Sequence, residues 1–297
     1  MQIEKKPILI SRVDEMSIFA DAAREAHTEL GLVPTMGALH EGHLSLIRRA
    51  ARENALTVVS IFVNPIQFDN PDDLAAYPVT LEDDMKLAFA SGADVVFAPS
   101  AAEMYPEGFS TFVDMTGISE RLCGASRKSH FKGVLTVVNK LFCICQPTRA
   151  YFGEKDAQQL AVVRKMVSDL CMNLEIIGCP TVREKDGLAM SSRNKRLSAE
   201  ERKAAVCLFR ALTEAGSLFG KGERSPEKFV SAMLGVLKKE PLARVDYAEL
   251  VDPDTFEPTK DVQAGDILML AVFVGGVRLI DNSRLADIEG LTDIYHE

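Results

Sequence analysis

Thr57-Val58-Val59-Ser60-Ile61-Phe62-Val63 is a nearly continuous apolar, β-branched run without polar alternation. That is the pattern of a strand covered on both faces, as in a parallel sheet. On its N-terminal side a helical periodicity spans about His43 to Asn54, and Leu32-Val33 leads into a strand end. Further back, Pro7-Ile8-Leu9-Ile10 reads as a short strand. Asp14 reads as the cap of a helix that carries Ile18, Phe19, Ala22, Ala26 and Leu30 and is stopped by Gly31. On the C-terminal side follow a helix from Leu81 to Ala90 and a strand from Asp94 to Ala98. Strand and helix alternate as in βαβ units, which cross over right-handed and leave ligands at the carboxyl ends of the strands. A doubly wound, Rossmann-like nucleotide-binding sheet is predicted.

The alternation continues with a buried helix from Val134 to Cys145, a strand at Ala150-Tyr151-Phe152, a helix from Gln158 to Leu170 and a strand from Leu174 to Ile177. Composition then changes. Arg183-Glu184-Lys185-Asp186-Gly187 and Ser191-Ser192-Arg193-Asn194-Lys195-Arg196 read as an exposed linker. The expected division is residues 1–182 as the Rossmann-like domain and 183–297 as a smaller α+β domain with Met190-Ser191-Ser192-Arg193-Asn194 near its start. Ser198 with Glu201 forms a capping box, and Ser225-Pro226 an N-cap with proline at the first helical position. Strands are expected at Asp246 to Leu250 and Ile267 to Val274, with Gly275-Gly276 as the turn before Val277-Arg278-Leu279-Ile280.

The 297 residues suit about two domains, and 47% hydrophobic with 26% charged residues is an ordinary globular composition. The 34 basic and 43 acidic side chains leave a net charge of −9, which repels nucleic-acid phosphates. Small-molecule partners are therefore expected, and no nucleic acid. No apolar run reaches the ~18 residues of a membrane span and no export-signal core is evident, so the expected address is the cytoplasm. The six cysteines are expected to be reduced and mostly buried. Cys143 and Cys145 lack the second pair a zinc site wants.

Chemistry concentrates first in Pro34-Thr35-Met36-Gly37-Ala38-Leu39-His40-Glu41-Gly42-His43-Leu44, which leaves a strand and enters a helix. Two imidazoles three apart at a helix N-terminus, with its unpaired N–H groups and positive dipole end, complement charge developing on phosphate oxygens. Gly42 lets a base or ribose lie against the backbone. A zinc helix wants histidines at i and i+4 plus a third ligand, and histidines that merely cap or pack are the other alternative. Met190-Ser191-Ser192-Arg193-Asn194 offers hydroxyls and a guanidinium that can close over a triphosphate, or an exposed polar loop. Phe152-Gly153-Glu154-Lys155-Asp156-Ala157-Gln158-Gln159 is another strand end entering a helix. There Lys155 can neutralise phosphate and Asp156 can accept from ribose hydroxyls, or the segment is a solvated helix start. Phe62-Val63-Asn64-Pro65-Ile66-Gln67-Phe68 ends a strand with two amides, able to hold hydroxyl and carboxylate groups, or is an ordinary turn.

These stretches, with Tyr77-Pro78, Asp186 to Asn194 and Gly275-Gly276-Val277-Arg278-Leu279-Ile280-Asp281-Asn282, resemble the pantothenate synthetase (pantoate:β-alanine ligase) family across essentially the whole chain. H-x-G-H and M-S-S-R-N belong to the wider adenylylating superfamily that includes class I aminoacyl-tRNA synthetases, whereas V-N-P-x-Q-F and F-G-E-K-D-x-Q-Q are narrower. The resemblance implies an ATP- and magnesium-dependent, AMP-forming ligase that joins pantoate and β-alanine through an enzyme-bound pantoyl adenylate, working as a homodimer. It implies ATP contacts from Met36, Gly37, Ala38, Leu39, His40, Glu41, Gly42 and His43, with His43 the family's proton donor. Gly153, Glu154, Lys155, Asp156, Val182, Met190, Ser191, Ser192 and Arg193 would complete the nucleotide site, and His40, His43, Lys155 and Arg193 would offset phosphate charge. Gln67, Gln159 and Asn64 would hold pantoate, Gln67 also facing β-alanine. No magnesium ligand is assigned.

Two positions depart from the family pattern: Val79 where arginine is usual, and Arg127-Lys128-Ser129-His130 where Arg-Pro-Gly-His is usual. Both bear on loop geometry rather than on the nucleotide motifs. The competing functions are a nucleotidyltransferase acting on a phosphorylated acceptor, a synthetase-like protein that passes its adenylate to tRNA, and a non-catalytic binding module. The acidic balance and the lack of a basic, aromatic-rich appended domain disfavour the second.

Overall fold

The apolar runs become six parallel strands in the computed structural model, which describes residues 7–287. They are β1 (Ile8–Ile10), β2 (Leu30–Thr35), β3 (Leu56–Ile61), β4 (Val95–Phe97), β5 (Arg149–Gly153) and β6 (Glu175–Cys179), in the order β1-β4-β3-β2-β5-β6. From β2 the chain steps outward through β3 to β4, then crosses back so that β5 and β6 lie on the other side of β2. The reversal at β2 is where an open parallel sheet leaves a crevice beyond its strand ends. The continuous β-branched runs are explained by burial: Val33, Val59 and Val96 are inaccessible to solvent and pack with Ile47 and Ala50 of the helix Glu41–Glu53. Full burial of each such Val or Ile side chain is worth about 1.5–3 kcal/mol.

Two boundaries differ from the sequence reading. The first helix is Val13–Glu25, capped by Arg12 rather than Asp14; the Val13 N–H donates to the Glu103 carboxylate at 2.9 Å, and Asp14 lies in the first turn. This helix does not run to Leu30. It ends at Ala26, with His27 in the left-handed region at φ 53°, and Leu30 and Gly31 begin β2. Gly31 is a close-approach residue, because a Cβ there would sit 2.5 Å from the Asn54 amide nitrogen.

The antiparallel sheet β7 (Ala243–Val251), β8 (Ile267–Val274) and β9 (Val277–Arg284) has the order β7-β8-β9, with Gly275-Gly276 as the hairpin turn. Phe229, Met233 and Leu237 of the helix Pro226–Leu237 and Leu208 and Leu212 of the helix Cys207–Gly220 form one core with Leu268, Leu270 and Val272. Ser198 and Glu201 make the expected capping box. Ser225 is the N-cap before Pro226, but its side chain does not cap the helix. The fold is thus a Rossmann-like parallel sheet with a smaller α+β part.

The chain divides into two compact units: Met1–Ser119 with Arg127–Glu154 and Gln159–Pro180, and Glu120–Ser126 with Lys155–Gln158 and Thr181–Glu297. The long division falls beside residue 182, while two short segments counted with residues 1–182 in the sequence reading group with the second unit. All six cysteines are free, with Cys123, Cys145, Cys179 and Cys207 buried. Burial pushes the Cys207 thiol up to about 12 and raises that of Cys145 as well, so both stay protonated. No helix among the described residues is long and apolar enough to cross a membrane.

The segment 183–189 is not an exposed linker. Arg183 bridges to Ala189 across a tight turn, Leu188 and Ala189 are buried, and a Cβ on Gly187 (φ 88°) would run into the Phe209 ring. The polar composition misleads because its charges are paired. The Arg183 guanidinium makes a fork to the two Asp281 oxygens at 2.7 and 2.9 Å, and their side chains are only 4% and 1% exposed.

Candidate active site

Three neighbouring strands of the first unit release their chemistry at the same end. β3 runs into Asn64–Gln67, β2 into Met36–His43 and β5 into Gly153-Glu154, and in the sheet β3, β2 and β5 are consecutive. Gln159 follows in the helix Ala157–Asp169 and is half-buried.

The turn after β2 is bent by two left-handed residues, Gly37 at φ 83° and Ala38 at φ 51°. Asp84, from the helix Leu81–Ala90, pins this turn. Its carboxylate accepts the Ala38 N–H at 2.8 Å, the Leu39 N–H at 2.7 Å and the Thr80 hydroxyl at 3.0 Å, and the residue is 2% exposed. Gly37 must lack a side chain, since a Cβ would lie 2.9 Å from the same carboxylate and 3.2 Å from Ile61. His40 is the N-cap of the helix Glu41–Glu53 and His43 its third residue. The two rings lie 4.1 Å apart, and the His40 N–H donates to His43 Nδ1 at 3.4 Å. With Nδ1 accepting, Nε2 is the donor nitrogen of the ring. The His43 and Leu44 N–H groups are taken by the His40 carbonyl, at 2.8 and 3.0 Å. At the helix start, the N–H groups of Glu41 and Gly42 precede any intrahelical acceptor.

The turn after β3 is an amide relay. Asn64 gives one N–H to the Gly133 carbonyl at 3.1 Å and the other to Gln67 Oε1 at 2.9 Å, while its own oxygen accepts the Tyr105 hydroxyl at 2.7 Å. Gln67 Nε2 meets the Met36 sulfur at 3.0 Å, which joins this turn to the one after β2. The Gln67 carbonyl is held by Arg127 at 3.1 Å and His130 Nδ1 at 3.0 Å. In the departure Arg127-Lys128-Ser129-His130 these two contacts are in place, and Ser129 donates to Asp69. Val79, the other departure, is strongly exposed.

Lys155, Asp156, Val182 and Met190–Arg193 belong to the second unit. Lys155 Nζ lies 3.7 Å from Asp156, and the Lys155 carbonyl accepts from Asn282 Nδ2 at 2.7 Å. The Met190 N–H donates to the Val182 carbonyl at 3.0 Å, Ser191 Oγ accepts the Arg193 N–H at 3.3 Å, and Ser192–Arg196 is a 3-10 turn. Arg183–Asp281 anchors the start of this segment, and Asp186 with Arg202 (2.8 and 3.0 Å) braces its tip. Hydrogen bonding to Arg202 holds the Asp186 carboxyl below its usual range.

Sequence reasoning missed Asp84, Tyr105 and Gly133, and gave Asp281 and Asn282 no role. No local pattern marks Asp84, which reads as one more acidic residue in a helical first turn. As for a metal, the described residues contain no group of three or more His, Cys, Asp or Glu able to hold one. A zinc centre needs at least three protein ligands, and among the described residues His40 and His43 are not joined by a third His, Cys, Asp or Glu.

Comparison with known proteins accords with this geometry. The family model for pantoate-β-alanine ligase matches residues 8–284. Pantothenate synthetases of Acetivibrio thermocellus and Thermotoga neapolitana are each 52% identical, the first over 92% of this chain and 98% of its own length, the second over 93% and 99%. The pantothenate synthetase structure from Thermus thermophilus superposes with a TM-score of 0.88 at 46% identity, covering 94% of this chain and 99% of its own. The pantoate-β-alanine ligase of Francisella tularensis, solved with β,γ-ATP and β-alanine, gives 0.79 at 34% identity, covering 95% of this chain and 98% of its own. With its parallel sheet, its H-x-G-H helix start and near-complete coverage of these relatives, the chain belongs to the pantoate-β-alanine ligase family and is a ligase.

Proposed function

We propose that the chain condenses pantoate with β-alanine to pantothenate, with ATP converted to AMP and pyrophosphate. The observation that supports this reading is the run of β3, β2 and β5, which brings an amide turn and a helix start with two histidines to one edge of one sheet, groups suited to a carboxylate or hydroxyl and to a phosphate. In the first step a pantoate carboxylate oxygen attacks the α-phosphorus, a P–O bond forms and pyrophosphate leaves. In the second, the neutral amine of β-alanine attacks the acyl carbon, the C–N bond forms, AMP departs with the acyl oxygen's bonding electrons, and the amine proton is lost. Neither step needs a covalent bond to the enzyme, so catalysis rests on positioning and charge.

The residue roles follow. Met36, Gly37, Ala38, Leu39, His40, Glu41, Gly42 and His43 take ATP, His43 Nε2 donating to phosphate oxygens. Gly153, Glu154, Lys155, Asp156, Val182, Met190, Ser191, Ser192 and Arg193 complete nucleotide binding, with Lys155 and Arg193 supplying positive charge. Gln67 and Gln159 hold pantoate. Asn64, whose two N–H groups are engaged, has an acceptor lone pair to offer a pantoate hydroxyl. Magnesium, when bound, offsets charge on the phosphates; with no cluster of protein ligands among the described residues, ATP oxygens and water would hold it. A cytoplasmic homodimer completes the reading, and sedimentation equilibrium tests the dimer.

The deciding assay measures pantothenate, AMP and pyrophosphate while ATP, magnesium, pantoate and β-alanine are omitted in turn. Product only from the full mixture is expected. Nucleotidyl transfer to a phosphorylated acceptor, with no need for an amine, would instead establish the nucleotidyltransferase reading, which the relatives do not favour.

A further inference from the structure

The turn after β3 contains a chain of hydrogen bonds whose direction is fixed at one end. The Gly133 carbonyl can only accept, so the atom of Asn64 facing it at 3.1 Å must be the amide nitrogen. The opposite face of that amide is then its oxygen, and it meets the Tyr105 hydroxyl at 2.7 Å, which must be the donor. The second Asn64 N–H points at Gln67 at 2.9 Å, so Gln67 turns its oxygen inward and its NH2 group outward, toward the Met36 sulfur. A thioether is a weak acceptor that a substrate oxygen readily displaces.

Everything around the relay holds it in that sense. Asn64 is 1% exposed. The Tyr105 ring packs against Phe62 and Phe109, with centroids 6.1 and 5.0 Å away, and burial raises its phenol well above the ordinary value, so it remains an O–H donor. A Cβ on Gly133 would lie 2.5 Å from the Ile66 carbonyl and 2.6 Å from Gln67 Cα, so the helix His130–Cys145 presses directly on the turn.

We propose that Tyr105 is a positioning residue for pantoate: together with the Gly133 carbonyl it clamps the Asn64 amide, and through it holds the Gln67 amide with its NH2 group outward, so the turn presents donors and selects a substrate oxygen. This rests on the assignment of pantoate to Gln67. A carboxylate or hydroxyl is accepted there, whereas an ammonium group, which has no lone pair, is not. Phenylalanine at 105 keeps the ring packing and removes only the donor, leaving the Asn64 oxygen without its phenol partner and the Asn64 amide held by the Gly133 carbonyl and Gln67 alone.

The test is a double-mutant cycle on Tyr105→Phe and Gln67→Ala, with KM for pantoate and for ATP, and kcat, measured for each protein. Tyr105→Phe is expected to raise pantoate KM by about three- to tenfold, the worth of one buried hydrogen bond, with ATP KM unchanged. In the Gln67→Ala background the same substitution should then have no effect, because the group it orients is gone. A merely structural Tyr105 would act equally in both backgrounds, and that result overturns the proposal, as does an unchanged pantoate KM in Tyr105→Phe. Gln67→Glu checks the direction: a carboxylate in place of the outward NH2 should weaken pantoate more than Gln67→Ala does, and retention of pantoate affinity would refute the outward donor. If Gln67→Ala leaves pantoate KM unaltered while the wild type makes pantothenate, the assignment of pantoate to Gln67 fails and takes the proposal with it. If Tyr105→Phe does not fold, Asn64→Asp replaces it. That carboxylate has no hydrogen for Gln67, and pantoate KM must rise at constant ATP KM for the proposal to survive.

Discussion

Two backbone segments bear on the proposed nucleotide contacts, Met36–His43 by carrying eight of them and Arg183–Ala189 by joining Val182 to Met190, and each is fixed by one buried charge of opposite sign. Met36–His43 is held by an anion: Asp84 accepts N–H groups from Ala38 and Leu39. Arg183–Ala189 is held by a cation: Arg183 donates to the Gly187 carbonyl at 3.0 Å and the Asn282 carbonyl at 3.3 Å, and is neutralised by Asp281. The difference is in what remains for a ligand. Asp84 consumes two backbone donors, so in the proposed site the first segment would meet phosphate with the imidazoles and the N–H groups of Glu41 and Gly42. In the second segment the guanidinium of Arg183 is turned inward, and the proposed phosphate contacts fall to Ser191, Ser192 and Arg193 beyond it. It also separates the consequences of damage. An exposed donor can be lost without harm to the fold, whereas a buried charge stripped of its partner cannot.

The largest expected effect comes from breaking the second segment. Asp281→Ala strands a buried guanidinium and should destabilise the second unit by about 3–5 kcal/mol, read as a lower midpoint in denaturant or thermal unfolding. A change below about 1 kcal/mol would mean that water or another carboxylate reaches Arg183, and the comparison would fail on that side. Next, His43→Ala should remove about 2–4 kcal/mol of transition-state stabilisation, with only a smaller fall in the unfolding midpoint from the lost acceptor for the His40 N–H. Near-normal turnover in that variant would sink the role. The smallest effect sharpens the comparison. Asp84→Asn turns an NH2 toward at least one backbone N–H, at a cost of about 1–3 kcal/mol, and should raise ATP KM while sparing pantoate KM. Equal changes in both constants would show that Asp84 supports the whole strand edge rather than the nucleotide turn.

The sheet was legible because burial on both faces writes itself into the sequence as runs such as Thr57 to Val63, and the helix Leu81–Ala90 because its acidic first turn and apolar spacing agree. Leu30 and Gly31 were misread, since an apolar residue followed by glycine looks like a helix end. The side chains of Asn54 and Tyr151, packed against Gly31, explain the glycine. The segment after residue 182 was misread for a related reason: charge and glycine suggest solvent exposure unless the partner is known, and Asp281 is 98 residues away from Arg183. Motif residues were visible because they are unusual in combination. Asp84, Tyr105 and Gly133 were not, because an acid, a phenol and a glycine gain their roles only from what the fold sets opposite them.

The pairing of β2 with β5 has a consequence for how the molecule forms. Thr148 accepts from and donates to Leu30 across 118 residues of chain, so this contact closes a very long loop. Such closures are entropically late events and slow a folding reaction. A ribosome-bound chain can therefore assemble β2, β3 and β4 early, yet the edge formed by β3, β2 and β5 is completed only once Gly153 has emerged. Until then an apolar flank of β2 stands open, which makes the interval before β5 docks the one in which this protein is most exposed to aggregation.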